Sequence, residues 1–507
     1  MKKIKSFCIK YKFQLFSLLV AFTILLFTSK NSFLYPFNDW VDANAFFTVG
    51  KSMMNGVVPY RDLFEQKGLL LYLIYGIGYL LSNNTFYGVF ILEIISFTIF
   101  LYYSHKIFSM YLDEKYSFIL LPILSFIITT SYSFAQGGSC EEFCLPFFGI
   151  SLYYFIKHFK DRELTDKEIY INGLMAGLVL LMKYTMLGFW IGFVLFIFID
   201  LLKKKKTKIA FMFCVKFLVG MFIPFAIALL YLLFTGGIKA FFEDYFIINM
   251  TAYQSGQKYN IIQRIYRIGR ASFIAIRQNG KALIIAIASM PVLVWFIKDK
   301  NKYFKMCLIG LMLFSLFFIY WGLRLFRYYL LPVSIFTIIS MIGCVSLIKK
   351  YSDRFINKKY MYFVFSFIFV ISALFSFMKA QFRDDLLKSR NEYFQYKYAD
   401  YINKYENPTL LNMGFLDVGV YTVGKIIPNT KHFEKQNISY ENYPDNIDSL
   451  NNSAANKETM FIVYISNDES TKIPNVVTDN YDLVYKDKYE YEESTFFAYL
   501  YQLKELS

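Results

Sequence analysis

The sequence predicts a polytopic α-helical membrane protein with a small extracytoplasmic α/β domain at its C-terminal end. Three observations carry this expectation. Hydrophobic residues fill 56% of the 507 positions and charged residues only 18%, a balance too apolar for a water-soluble chain of this size. Apolar runs of about 18 residues recur along the chain, each long enough to cross the hydrocarbon core as a helix. Beyond about residue 379 the composition changes: Pro408, Pro428, Pro444 and Pro474, with many Asn and Asp, separate short strand-like runs.

The chain opens on Lys2, Lys3 and Lys5, followed by an apolar run to about Thr28. This resembles a secretory signal without a small-residue cleavage site, so it reads as an uncleaved first span that starts in the cytoplasm. Further spans are predicted over roughly 86–104, 116–134, 144–158, 170–184, 186–202, 209–234, 282–297, 304–321, 327–348 and 360–378. With the first, over 12–29, that makes about eleven. An additional apolar run, 68–82, is shorter and carries Gly76 and Gly78.

Charge decides how 68–82 is placed. Basic clusters lie at 105–115, 157–160, 203–208, 298–305 and 349–359, and short basic loops stay in the cytoplasm. If 68–82 does not cross, all of them fall inside; if it crosses, all fall outside. The run is therefore expected to lie along the outer face as an interfacial or re-entrant helix. The weakest link is the pair 170–184 and 186–202, two short helices around Lys183-Tyr184, because merging them would invert everything downstream. The resulting division is a membrane module over 1–378 and an outer domain over 379–507, about 130 residues, enough to bury a core. The net charge of +16 follows from the loop lysines, so no nucleic-acid partner is expected.

Six cysteines are present. Cys8, Cys214, Cys307 and Cys344 sit in or beside spans. Cys140 and Cys144 form C-E-E-F-C with no second Cys or His pair to complete a zinc set, so they read as packing thiols.

The outer loops hold the candidate chemistry. Asp42, with Asp39 just before it, opens a stretch in which Ala45, Phe46, Val49, Met53 and Met54 recur at helical spacing, and an acid there serves equally as a helix-end charge. The run Pro59 to Gly68 brings Arg61, Asp62, Glu65 and Lys67 together, where an ion pair of Glu65 with Lys67 or Arg61 would orient both. Glu141 and Glu142 open another helix and suit a first-turn charge, a metal ligand or an acceptor-positioning group. Lys183, Arg324 and Arg327, the last followed by Tyr328, place positive charge at outer helix ends against the prevailing pattern, where a lipid phosphate is the natural partner. The loop 235–281 carries Arg264, Arg267 and Arg270 on one helix face.

These residues resemble a known family. D-x-x-x-x-F from Asp42, then G-x-x-P-Y-x-D-x-F-E-x-K-G from Gly56 to Gly68, then an apolar run, is similar to the first outer loop of bacterial GT-C glycosyltransferases, specifically the protein O-mannosyltransferases and aminoarabinose transferases (family 39-like). The resemblance implies a GT-C-like fold, Asp42 as the catalytic aspartate, and Glu65 and Lys67 in the F-E-K positions. Glu141 and Glu142 stand in the place of the second-loop acidic motif. Ala43 replaces the usual Glu, and Gly68-Leu69 replace a double proline.

The resemblance further implies a polyprenyl-phosphate-sugar donor and an acceptor hydroxyl on a cell-surface glycan, glycolipid or protein, with Asp42 as base and inversion at the sugar. Asp39, Arg61, Glu141, Glu142, Lys183, Arg324, Arg327 and Tyr328 are then the substrate-binding candidates. No cofactor is required, although a divalent metal is compatible with the acids. Two other classes stay open: a flippase or transporter of lipid-linked sugars, and a polysaccharide polymerase or ligase that would shift the key charges to 235–281. The expected location is the plasma membrane, with the N-terminus cytoplasmic and the tail outside.

Overall fold

The computed structural model describes residue 7 and residues 9–253, 259–355, 361–492 and 494–506, the side chains of 349–355 excepted. The opening lysines and Cys8, residues 254–258 of the loop 235–281, and much of the basic run 349–359 lie outside the described residues. The chain forms two compact units. One comprises Met1–Leu34, Ile91–Ala228 and Lys258–Arg383; the other comprises Tyr35–Phe90, Leu229–Gln257 and Asp384–Ser507.

The first unit is helical. Among the described residues, six helices of the chain are long and apolar enough to cross a membrane: Tyr87–Tyr111, Tyr184–Lys203, Thr207–Phe234, Lys302–Ile319, Arg327–Ile348 and Met361–Lys379. The other five expected spans correspond to Lys12–Thr28, Ser117–Thr129, Cys140–Lys160, Asp166–Leu180 and Lys281–Phe296. Most of these are shorter, and Cys140–Lys160 carries charge at both ends. The pair around Lys183 stays separate, as Asp166–Leu180 and Gly188–Lys203 with one tight turn, Tyr184–Leu187, between them. Large side chains such as Phe211, Leu218, Phe222 and Ile227 remain exposed along Thr207–Phe234. So much bare apolar surface is tolerable only against lipid. The chain is a multi-pass membrane protein.

Glycines set one helix crossing in this unit. A Cβ on Gly173 would lie 2.1 Å from the Phe217 carbonyl oxygen, and one on Gly177 would lie 2.2 Å from that of Met221. Small residues four apart let two membrane helices approach backbone to backbone, where dispersion replaces the missing hydrophobic drive.

The second unit joins Tyr35–Phe90 and Leu229–Gln257 to the tail. Its helices Val41–Met54 and Leu69–Leu81 cross where Gly50 meets Gly76: a Cβ on Gly50 would lie 2.6 Å from the Gly76 nitrogen. The glycine that interrupts the apolar run in sequence is thus its packing contact. Leu69–Leu81 has 13 residues, a rise of about 20 Å, well short of the roughly 30 Å hydrocarbon core. Helix Val41–Met54 departs from the expected single apolar face: it is buried continuously from Ala43 to Ser52, because Leu69–Leu81 and the tail segment Val420–Gly424 both pack on it.

The tail carries a four-stranded sheet of β1 (Leu410–Met413), β2 (Phe461–Ser466), β3 (Tyr481–Tyr491) and β4 (Ser494–Leu503) in the order β1-β2-β4-β3. β1 pairs parallel to β2; β4 pairs antiparallel to β2 and β3. Leu411, Ile462, Tyr481, Tyr499 and Leu503 close a core with Leu450 and Ala454 of the crossover helix Pro444–Ala455. The edge strand β3 alternates Lys486, Asp487, Lys488 and Glu490, charges that discourage further strand pairing.

The glycine crossing is directly testable. Gly177→Leu should lower the thermal midpoint of the detergent-purified protein by the equivalent of about 1–3 kcal/mol of overpacking. Gly269→Leu, where a Cβ meets nothing within 4 Å, should leave the midpoint in place.

Candidate functional site

Asp42 sits in the first turn of Val41–Met54, where the unsatisfied amides of a helix N-terminus favour negative charge. Asp39 and Asp42 are both half-buried. Their neighbours from the same compact unit are deeper carboxyls. Glu65 is 5% exposed and accepts from the Lys67 amide at 2.8 Å and from the Tyr72 hydroxyl. Lys67 lies with its Nζ 5.4 Å over the Phe46 ring. The expected partner Arg61 turns instead to its neighbour Asp62 at 2.7 Å and to the Thr235 carbonyl at 2.5 Å, out in solvent. The turn that presents Glu65 is built by Tyr60, which takes a left-handed φ of 69°, is fully buried, and donates its hydroxyl to the Lys67 carbonyl at 2.8 Å.

The tail supplies acids that sequence reasoning missed. Asp417 accepts from Thr48 Oγ1 at 2.6 Å and from the Gly419 amide at 2.8 Å. Glu434 accepts from the Asp417 amide at 2.5 Å and from Gln436 Nε2 at 2.7 Å. Burial pushes both carboxyls up, and the charges of Asp417, Glu65 and Asp42 push Glu434 further. Lys51, on the helix that carries Asp42, donates to the Tyr421 carbonyl at 2.8 Å and to that of Ile426 at 2.6 Å. Burial brings its ammonium down to about 7 against the pull of Asp417. Lys51 was legible in sequence as a charge inside an apolar-spaced stretch. Asp417 lies 369 residues from Thr48, and neither it nor Glu434 carries a local signal.

A second contact area in this unit joins the loop 229–257 to the tail. Asp244 lies in a π-helical turn, Phe242–Ile247, a geometry frequent at functional positions. It is 3% exposed, its Oδ2 accepts no hydrogen bond, and Lys431 stands 3.7 Å away. Burial raises its carboxyl to about 7, opposed by Lys431 and reinforced by Glu243. The Phe64 amide donates to the Lys431 carbonyl at 2.8 Å, and the Phe64 ring stacks on Tyr443 at 5.2 Å.

The remaining candidates belong to the helical unit. Glu141 and Lys183 form a salt bridge at 2.5 Å, and the Lys183 ammonium sits 3.3 Å over Tyr329 and 5.6 Å over Tyr328. Glu142 reaches back to the Gly138 amide at 2.8 Å while its own amide bonds Ser139 Oγ at 3.0 Å, a reciprocal N-terminal cap. Arg327 lies between the rings of Tyr132 and Phe382 at 5.4 and 5.5 Å. Arg324 is half-buried in the segment between helices. Arg264 covers Trp321 at 4.8 Å and Arg267 covers Tyr259 at 4.1 Å. Among the described residues no group of three or more His, Cys, Asp or Glu is set to hold a metal ion, and Cys140 and Cys144 are buried free thiols.

Residues 2–380 match the family model described as "Putative competence-induced protein Ccs4 N-terminal domain". The chain belongs to this family. In fold the Ccs4-family chain is similar to ArnT from Cupriavidus metallidurans bound to undecaprenyl phosphate, at 9% identity and a TM-score of 0.59, over 96% of this chain and 97% of that one. It is similar as well to the archaeal oligosaccharyltransferase AglB from Archaeoglobus fulgidus in complex with an inhibitory peptide and a dolichol-phosphate, at 13% identity and 0.52, over 97% and 74%. Arabinofuranosyltransferase AftD from Mycobacteria aligns at 10% identity and 0.50, over 97% and 39%. All three are GT-C membrane glycosyltransferases, and theirs is the fold of this chain. Comparison with curated protein sequences finds no match.

Asp244 gives this unit a pH signature. The folded carboxyl keeps its proton up to about 7, whereas the unfolded one releases it near 3.8. Its stabilising share is complete at low pH and is lost as pH rises from about 4 to about 7. Asp244→Asn should therefore melt several degrees above wild type at pH 8 and level with it at pH 4, read by thermal unfolding across pH.

Proposed function

We propose that this protein is an integral membrane glycosyltransferase that moves a sugar from a polyprenyl-phosphate donor to an acceptor hydroxyl on the outer face of the membrane. The observation that carries the reading is the position of Asp42. It stands half-buried in the first turn of a helix, in the same compact unit as the deeper carboxyls of Glu65, Asp417 and Glu434. The fold shared with ArnT, whose structure is bound to undecaprenyl phosphate, supports the donor class. The description of the Ccs4 family names competence induction and no chemistry.

In this reading Asp42 takes the proton of the acceptor hydroxyl as its oxygen forms a bond to the anomeric carbon. The bond from that carbon to the phosphate oxygen breaks on the opposite face, its electron pair leaves with the polyprenyl phosphate, and the sugar inverts. Glu65, fixed by Tyr72 and the Lys67 amide, keeps the Phe64–Gly68 turn in shape, and Lys67 offers a cation to the substrate. To the lipid phosphate we assign Lys183, Arg324 and Arg327, since arginine matches phosphate in bidentate geometry. The N-terminus is placed in the cytoplasm and the tail outside, from the distribution of basic loops.

The test is Asp42→Asn, assayed in membranes against a panel of polyprenyl-phosphate sugars. Transfer should fall by about 10²-fold or more, as expected for loss of a general base, with the protein level unchanged. Full activity in the variant overturns the assignment. In a deletion strain, lipid-linked sugar should accumulate on the outer leaflet; accumulation on the inner leaflet would instead mark a flippase.

A further inference from the structure

One helix of the helical unit, Ile261–Gln278, is neither a membrane span nor part of the transfer reaction. Its sequence, IIQRIYRIGRASFIAIRQ, holds four arginines and no acid. A helix of that charge does not cross a hydrocarbon core. It is nonetheless firmly built. Asn260 Oδ1 accepts from the Gln263 amide at 2.9 Å, and Gln263 Oε1 accepts from the Asn260 amide at 3.3 Å, a reciprocal cap at its start.

At about 100° per residue the helix has three faces. Ile268, Ala271, Ser272 and Ala275 are buried against the protein. Beside them lies an apolar face on which Ile262 is 76% exposed, Tyr266 71%, Phe273 65% and Ile265 52%. Beyond it come Arg267, Arg270 and Arg277, all exposed. Among the described residues none of these three arginines meets a carboxylate; Arg267 lies over the Tyr259 ring at 4.1 Å.

Both ends of the helix are tied to the ends of neighbouring membrane helices. Near its start the Arg264 guanidinium covers Trp321 at 4.8 Å, just past the helix Lys302–Ile319. At its end Asn279 Oδ1 accepts from the Ser133 amide and hydroxyl at 2.9 and 2.6 Å. Ser133 follows the helix Ser117–Thr129, and Asn279 precedes the helix Lys281–Leu293. A short link joins Lys281–Leu293 to Lys302–Ile319, so Lys281 and Trp321 stand on the same side. The two anchors are about 20 Å apart along the helix axis. A helix pinned in this way runs along the membrane face rather than through it.

A bare apolar face in water is an association hazard. Next to a face of unpaired arginines it marks a helix lying in the headgroup layer, with its apolar side at the acyl boundary. Arginine matches phosphate in bidentate geometry, and basic residues at a bilayer surface draw anionic lipid.

We propose that Ile261–Gln278 docks in the plane of the bilayer surface, with Ile262, Tyr266 and Phe273 in the acyl boundary and Arg267, Arg270 and Arg277 on the phosphates of anionic phospholipids. The inference rests on the chain being a multi-pass membrane protein and is independent of the sugar-transfer reading.

The test uses the full chain with photoreactive p-benzoylphenylalanine in place of Phe273, in nanodiscs of equimolar phosphatidylglycerol and phosphatidylcholine. Adducts formed on irradiation are identified by mass spectrometry. The same label in place of Phe222, exposed within the span Thr207–Phe234, is the reference. Both positions should give lipid adducts, and the phosphatidylglycerol to phosphatidylcholine ratio at 273 should exceed that at 222 by about threefold or more. Combining Arg267→Gln, Arg270→Gln and Arg277→Gln should bring the ratio at 273 down to the reference value, while unchanged adducts at 222 report an intact membrane fold. The proposal is overturned if the label at 273 yields no lipid adduct, if it captures a second copy of the chain instead, or if the ratio equals the reference in the wild-type background or survives in the triple variant.

Discussion

A buried ammonium fastens the tail to the helix Val41–Met54. Lys51 is 1% exposed and donates to two tail carbonyls, while three residues earlier Thr48 holds Asp417. An ammonium removed from water without partners would be prohibitive. The segment from Asp417 to Ile426 must therefore be in place whenever the helix Val41–Met54 is folded. Phe64 extends the contact through its amide bond to Lys431 and its stacking on Tyr443. The loop and the tail are one structural object, and the position of Asp42 depends on both.

The distribution of acids within that object follows from depth. Glu65, Asp417 and Glu434 are buried and each spends its lone pairs on protein donors. Burial first, and then the charges of Asp417 and Glu65, push the Glu434 carboxyl well above the usual range. Asp39 and Asp42, at the N-terminal end of the helix Val41–Met54, are only half-buried.

In the helical unit the same economy of partners recurs. Lys183 is taken up by Glu141 and Tyr329, and Arg327 by two aromatic rings. Charges in or near lipid are expensive and settle where a counter-charge or a π-face is available. The glycine crossing of Asp166–Leu180 with Thr207–Phe234 supplies close packing where water supplies no drive.

The sequence by itself determined that the chain is membrane-embedded, because hydropathy and span length are local properties. It also determined that Asp42 begins a helix and that a short apolar run, 68–82, follows the charged turn, because helix spacing and turn residues are local as well. Strands β2 and β4 are legible in the apolar run 459–465 and the aromatic run 496–501; β1, very short, and β3, charged, are not. What only the tertiary structure decided is which distant groups share a site. Asp417 meets Thr48 across 369 positions, and Glu93, an acid inside an apparently ordinary span, meets Ser29 and Asn31 across 64 and 62 positions. Pairings of this kind depend on chain reversal and packing, which leave no periodic trace along the sequence.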